Sequence, residues 1–148
     1  MIKVLFVCHG NICRSPMAEM IFKELLRKEH QEQRYSVSSC ATSTEELGSP
    51  LYPSARDILQ RNHIPVLPHR ARQISRRDCE EFDYILVMDA RNLRNIAPFI
   101  GDNQHKVHRL LDFSQNPRDI SDPWYTRDFQ LAFDDILEGC QAFLARNA

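Results

Sequence analysis

The chain has 148 residues, of which 43% are apolar, 26% charged and 9% aromatic. This is ordinary globular composition and excludes disordered, collagenous and coiled-coil chains; the length fits one domain, 1–148. Lys and Arg number 19 against 20 Asp and Glu, a net charge of −1, which argues against nucleic-acid binding through an overall positive field and leaves a local pocket as the place for an anion.

Ile2 to Val7 is an apolar, β-branched run, the pattern of a strand buried on both faces. A loop from Cys8 to Arg14 follows. Ser15-Pro16 then opens a helix, with Ser15 as its cap and Pro16 at the first helical position. Met17, Met20, Ile21 and Leu25 form that helix's buried stripe. Tyr35 to Cys40 alternates as a second strand, and Ala41 to Pro53 is a turn-rich loop. Ser54 caps a helix running to about Arg61. Ser75, with Asp78 three residues on, caps a short helix. Tyr84 to Met88 is a central strand, and Asp89 ends it and caps the next helix. Val107 to Leu110 is a fourth strand. A final helix starts at Thr126 and presents Phe129, Phe133, Ile136, Leu137, Cys140, Phe143 and Leu144 on one face. This order predicts an α/β fold: one three-layer domain, a four-stranded, mostly parallel sheet, and helices on both faces. Such sheets bind ligands beyond the carboxyl ends of their strands.

The longest early apolar run, Val4 to Cys8, is far short of the ~20 residues of a membrane-spanning helix. His9-Gly10-Asn11 follows it, so it is no signal-peptide core either. No membrane insertion and a cytoplasmic location are expected. The five cysteines (Cys8, Cys13, Cys40, Cys79, Cys140) are an odd count, with no CxxC pair and no Cys/His cluster at zinc spacing. Neither a disulfide framework, a metal nor a cofactor is expected. Cys40, Cys79 and Cys140 lie in apolar patterns and read as core residues.

The loop after the first strand, Cys8-His9-Gly10-Asn11-Ile12-Cys13-Arg14-Ser15, carries the chemistry. A cysteine and an arginine five residues apart, between a strand and a helix, suit an anion nest of inward backbone N–H groups. The helix N-terminus adds partial positive charge, and Arg14 offers two parallel N–H bonds to a tetrahedral oxyanion. The same field favours the Cys8 thiolate. Gly10 and Asn11 tolerate positive φ, which would let the loop curl. Downstream, Asp122-Pro123 is a candidate proton donor held in extended backbone, with Asp119 as its competitor. Trp124 and Tyr125 would wall a cleft.

Val7 to Glu19 resembles the signature of the low-molecular-weight protein tyrosine phosphatases. The likeness continues through Ser38 to Ser43, Ala71 to Ile74, Phe82 to Asp89 and Asp122 to Tyr125, in order along the whole chain. The resemblance implies hydrolysis of phosphotyrosine in proteins, and of small aryl phosphates, through a phosphocysteine at Cys8. Arg14 and the backbone of His9, Gly10, Asn11, Ile12, Cys13 and Ser15 would bind phosphate. Asp122, rather than Asp119, would act as general acid and then base. It also implies that Ser15 assists the leaving thiolate, that Asn11 braces the loop through Ser15, Ser39 and His69, and that Cys13 is a redox partner for Cys8.

Two positions depart from the family pattern: Glu45 stands where an aromatic is common, and His9 where an apolar residue is common. Ile12 fits phosphotyrosine, because related arginine phosphatases carry Thr there. The rivals are a thiol-linked arsenate reductase, which needs a cysteine pair missing from Asp89 to Leu93, and a non-catalytic phosphocarrier or anion-binding module, which needs no distant acid. The partners expected are tyrosine-phosphorylated proteins, met by a monomer.

Overall fold

A computed structural model of the chain describes residues 1–147. Its core is a four-stranded sheet of order β2-β1-β3-β4, parallel throughout. The strands are β1 (Ile2–Cys8), β2 (Tyr35–Ala41), β3 (Tyr84–Val87) and β4 (Val107–Arg109). Helices α1 (Arg14–Lys28), α2 (Pro53–Arg61), α3 (Arg76–Glu81), α4 (Ala90–Ile100), α5 (Pro123–Thr126) and α6 (Phe129–Arg146) connect and follow them.

β1 is the reason for the continuous apolar run. Val4, Phe6 and Cys8 point into a cluster with α1, α2 and α6, while Leu5 and Val7 point into a second cluster with Cys79 of α3 and Ile96 and Ile100 of α4. A strand apolar on both faces needs cover on both, and the parallel crossovers supply it. Phe22 of α1 touches Phe6, Tyr35 and Phe143 edge-to-face, at centroid distances of 5.8, 5.4 and 5.6 Å. Such contacts add about 0.5–1.5 kcal/mol each beyond area burial. Cys40, Cys79 and Cys140 are fully buried, as their apolar surroundings predicted.

Each strand falls within a residue of its predicted bounds, but three helix starts differ. Ser15 does not cap α1; the helix already begins at Arg14, and the Ser15 hydroxyl turns to Cys8. Ser54 does not cap α2 either. Tyr52 is the cap and Pro53 the first helical residue, a place its fixed φ suits. Thr126 ends a helix rather than starting one. Asp122 caps the one-turn α5, Arg127 closes it in the left-handed region (φ 63°), and Asp128 then caps α6 by accepting from Leu131 N–H at 2.9 Å. The Ser75–Asp78 capping box and the Asp89 cap form as predicted.

Sheet order puts the carboxyl ends of β1 and β3 side by side. Cys8 leaves one and Asp89 the other, at the switch point where α/β sheets open a crevice.

Candidate active site

Cys8 lies at the floor of a cleft whose lining includes His9, Gly10, Ile12, Cys13, Arg14, Asp122, Trp124 and Tyr125. Its Sγ accepts from the backbone N–H groups of Asn11 (3.3 Å) and Ser15 (3.4 Å), and lies 3.0 Å from Ser15 Oγ. The two backbone N–H groups can only donate, so the sulfur is the acceptor in both bonds. The loop curls at Asn11 alone, which takes φ 58°. Gly10 does not share the positive φ expected of it, and a Cβ there would meet only ordinary contacts, 3.6 Å from Glu46 Cγ.

Asn11 holds the loop from within. Its Nδ2 donates to Ser15 Oγ (2.8 Å) and Ser39 Oγ (3.0 Å), its Oδ1 accepts from Arg72 N–H (3.2 Å), and its carbonyl accepts from His69 Nε2 (2.6 Å). The four bracing residues named from the sequence are thus in contact. Arg72 joins them through its backbone, which side-chain chemistry alone does not reveal.

Arg14 is buried. Its Nη1 donates to Asp89 Oδ2 and to the Ile120 carbonyl, both at 2.7 Å, and its Nη2 to Asp122 Oδ2 at 3.3 Å. Burial works against its charge, but Cys8, Asp122 and Asp89 outweigh that and hold the guanidinium above its ordinary range. Asp89 therefore does two jobs: Oδ2 takes Arg14 while Oδ1 caps α4. The helix-start pattern discloses the second job; the first depends on a side chain 75 residues away.

Asp122 also accepts from Trp124 N–H at 3.0 Å, which pins it at the cleft wall. Its competitor Asp119 is engaged elsewhere, by Ala90 N–H and Arg109 Nη1, both at 3.1 Å, and does not line the cleft. Trp124 packs edge-to-face on Tyr52 (5.2 Å), and Arg127 covers its ring at 5.5 Å. Tyr52 sits 70 residues before the acid in sequence and was missed. At the mouth, His9 Nε2 meets Glu45 Oε2 at 2.9 Å, so the two family departures contact each other. Burial pushes the Cys13 thiol far above its ordinary range, and Cys8 and Asp122 add to the rise.

A thiol under an anion cradle, a buried arginine and a carboxylate on the facing wall are the parts of a cysteine-dependent phosphatase. The comparisons make the class specific. The family model described as low molecular weight phosphotyrosine protein phosphatase matches residues 3–147. The low molecular weight protein-tyrosine-phosphatase YfkJ of Bacillus subtilis is 40% identical, covering 98% of this chain and 95% of that protein. The Gallus gallus low molecular weight phosphotyrosine protein phosphatase is 39% identical over 97% and 94%. The crystal structure of YfkJ superposes with a TM-score of 0.95 over 99% of this chain and 94% of that one. That of a Drosophila arginine phosphatase is 31% identical, with a TM-score of 0.90 over 99% and 98%. The chain belongs to the low molecular weight phosphotyrosine protein phosphatase family.

Proposed function

We propose that this protein hydrolyses phosphotyrosine in proteins, and small aryl phosphates, in two steps. Cys8 Sγ attacks phosphorus in line. The loop N–H groups and Arg14 hold the equatorial oxygens as charge spreads over them. Asp122 gives a proton to the phenolic oxygen as its bond to phosphorus breaks, which leaves a phosphocysteine. The Asp122 carboxylate then takes a proton from water, which attacks phosphorus and expels the Cys8 thiolate. Ser15, 3.0 Å from the sulfur, receives the returning charge. The single observation that carries the reading is the meeting of Cys8, Arg14 and Asp122 in one cleft walled by Trp124 and Tyr125.

Asp89 and the Ile120 carbonyl hold one end of the guanidinium, which fixes Arg14 before substrate arrives. Ile12 gives the cleft an apolar side suited to a phenyl ring. Cys13, beside the nucleophile, serves as its redox partner. The protein acts as a cytoplasmic monomer without nucleic acid or metal. No helix among the described residues is long and apolar enough to cross a membrane.

The test is the pH–rate profile of p-nitrophenyl phosphate hydrolysis with a chelator present, for the wild type and Asp122→Asn. We expect chelator-insensitive turnover, a bell-shaped profile, and a fall in kcat of ~10²-fold or more with loss of the basic limb in the variant. An unchanged variant would move the acid elsewhere. A wild type that turns over phosphoarginine but no aryl phosphate would overturn the substrate assignment.

A further inference from the structure

Glu19 does not line the cleft, yet it ends a chain of hydrogen bonds that starts at the nucleophile. It lies on α1 with its side chain 17% exposed. Its Oε1 accepts from Ser39 Oγ at 2.6 Å and its Oε2 from Lys23 Nζ at 2.6 Å. Arg72, from the segment before α3, also lies near enough to feel its charge.

The direction of each bond in the chain follows from what each atom can do. A carboxylate only accepts, so the Ser39 hydroxyl hydrogen is committed to Glu19. Ser39 Oγ must then be an acceptor toward Asn11, 3.0 Å away. The Arg72 backbone N–H only donates, so it fixes Oδ1 of Asn11 on its own side. Both hydrogens of the Asn11 amide therefore point at the two serines. Ser15 Oγ already accepts from Asn11 at 2.8 Å, and its own hydrogen is left for Cys8 Sγ at 3.0 Å, with the Cys40 carbonyl at 3.3 Å as the lesser partner. Without the carboxylate, the Ser39 hydroxyl can turn. The amide then keeps the Arg72 constraint on its orientation but loses the Ser39 one, and the Ser15 proton is held on the sulfur less firmly.

We propose that Glu19 is a positioning residue for the phosphatase reaction: through Ser39 and Asn11 it directs the Ser15 hydroxyl proton onto the Cys8 sulfur. This rests on the reading of Cys8 as nucleophile, and its function is to hold charge on the sulfur when the thiolate attacks and when it leaves.

The decisive experiment follows the rate of Cys8 alkylation by iodoacetamide against pH, with the alkylated residue identified by mass spectrometry. It compares wild type, Glu19→Gln, Ser39→Ala and the double variant, each checked for cooperative thermal unfolding. We expect both single variants to move the profile to higher pH, with alkylation on its acidic limb about fivefold slower, the size of one ordinary hydrogen bond. The double variant should be no slower than either, because the two residues act in one chain. For p-nitrophenyl phosphate, kcat should fall with KM little changed, since Arg14 is untouched. A Glu19→Gln profile that coincides with wild type, even with a lowered Tm, would reduce Glu19 to a structural role and overturn the inference. So would effects that add in the double variant. The readout needs no turnover, so a wild type inactive on aryl phosphate would defeat the phosphatase reading while the alkylation comparison still decides Glu19.

Discussion

Replacing Asp89 separates the two jobs that one carboxylate performs. Its Oδ2 takes Arg14 at 2.7 Å and its Oδ1 caps α4 through Asn92 N–H at 2.8 Å. Asparagine is as good a cap as aspartate, so Asp89→Asn keeps the helix start and removes the charge facing Arg14. Breaking a buried ion pair costs about 3–5 kcal/mol when the remaining charge is left alone. Here the Arg14 side chain is 3% exposed and keeps Asp122 and the Ile120 carbonyl. With Oδ1 kept on the cap, the amide Nδ2 is a donor facing a donor, so the charged hydrogen bond is lost outright, about 1.5–3 kcal/mol, or roughly 10- to 150-fold in kcat/KM. Asp89→Ala loses the charged bond and the cap together, about 2.5–4 kcal/mol, and Tm should fall by roughly 5–15 °C. Steady-state kinetics on p-nitrophenyl phosphate, inhibition by inorganic phosphate and thermal unfolding of both variants measure the two jobs apart. Asp89→Asn with kcat/KM and phosphate inhibition within twofold of wild type would refute the claim that this carboxylate positions the arginine.

The remaining predictions concern stability. Burial alone would raise the Asp78 carboxyl, but hydrogen bonds from Arg72 and Ser75 outweigh it and hold it below the ordinary range. A carboxyl depressed in the folded state stabilises above its unfolded value of ~3.9 and loses that contribution as pH falls through the folded value. Asp78→Asn should therefore cost about 1 kcal/mol at pH 7, modest because Arg72 is partly exposed, and the gap in Tm should narrow as pH falls below the unfolded value of ~3.9; a gap that widens in acid would contradict the sign. Gly139 in α6 sets two effects against each other. Alanine gains up to about 1 kcal/mol of helix propensity, but its Cβ would sit 2.5 Å from Leu110 Cγ, an overpacking worth about 1–3 kcal/mol. Gly139→Ala should lower Tm by a few degrees in a thermal scan, and a higher Tm would show that Leu110 yields freely.

How much of this was legible beforehand depends on the range of the forces involved. β1 announces itself because both its faces are buried, so periodicity drops out and a continuous apolar run remains. The loop from Cys8 to Arg14 was legible because its geometry is local: strand, nest and helix N-terminus lie within one short segment. Ser15 was misplaced for a physical reason. Ser-Pro is a strong helix-start signal, but an N-cap hydroxyl bonds its own helix, whereas this one is engaged by Cys8 and Asn11. Thr126 was misread because the chain makes a one-turn helix, a left-handed residue and a fresh cap within seven residues. The apolar face of α6 shows none of that. Asp89, Glu19, Arg72 and Tyr52 escaped notice as parts of the site because each acts on a partner distant in sequence. An amphipathic pattern says which side of a helix is buried; it does not say which carboxylate will meet which arginine.

The burial of the cysteines makes the folded state legible to a thiol reagent. All five are buried, and burial lifts the thiols of Cys13, Cys40, Cys79 and Cys140 away from their reactive form. Cys8 alone combines a place at the floor of an open cleft with donors converging on its sulfur. A native molecule should consume one equivalent of reagent quickly at Cys8, label Cys13 in the same cleft slowly because its thiol is raised, and release Cys40, Cys79 and Cys140 only as it opens. The number of labels carried by a single molecule then counts how far it has unfolded, with the nucleophile as the internal standard.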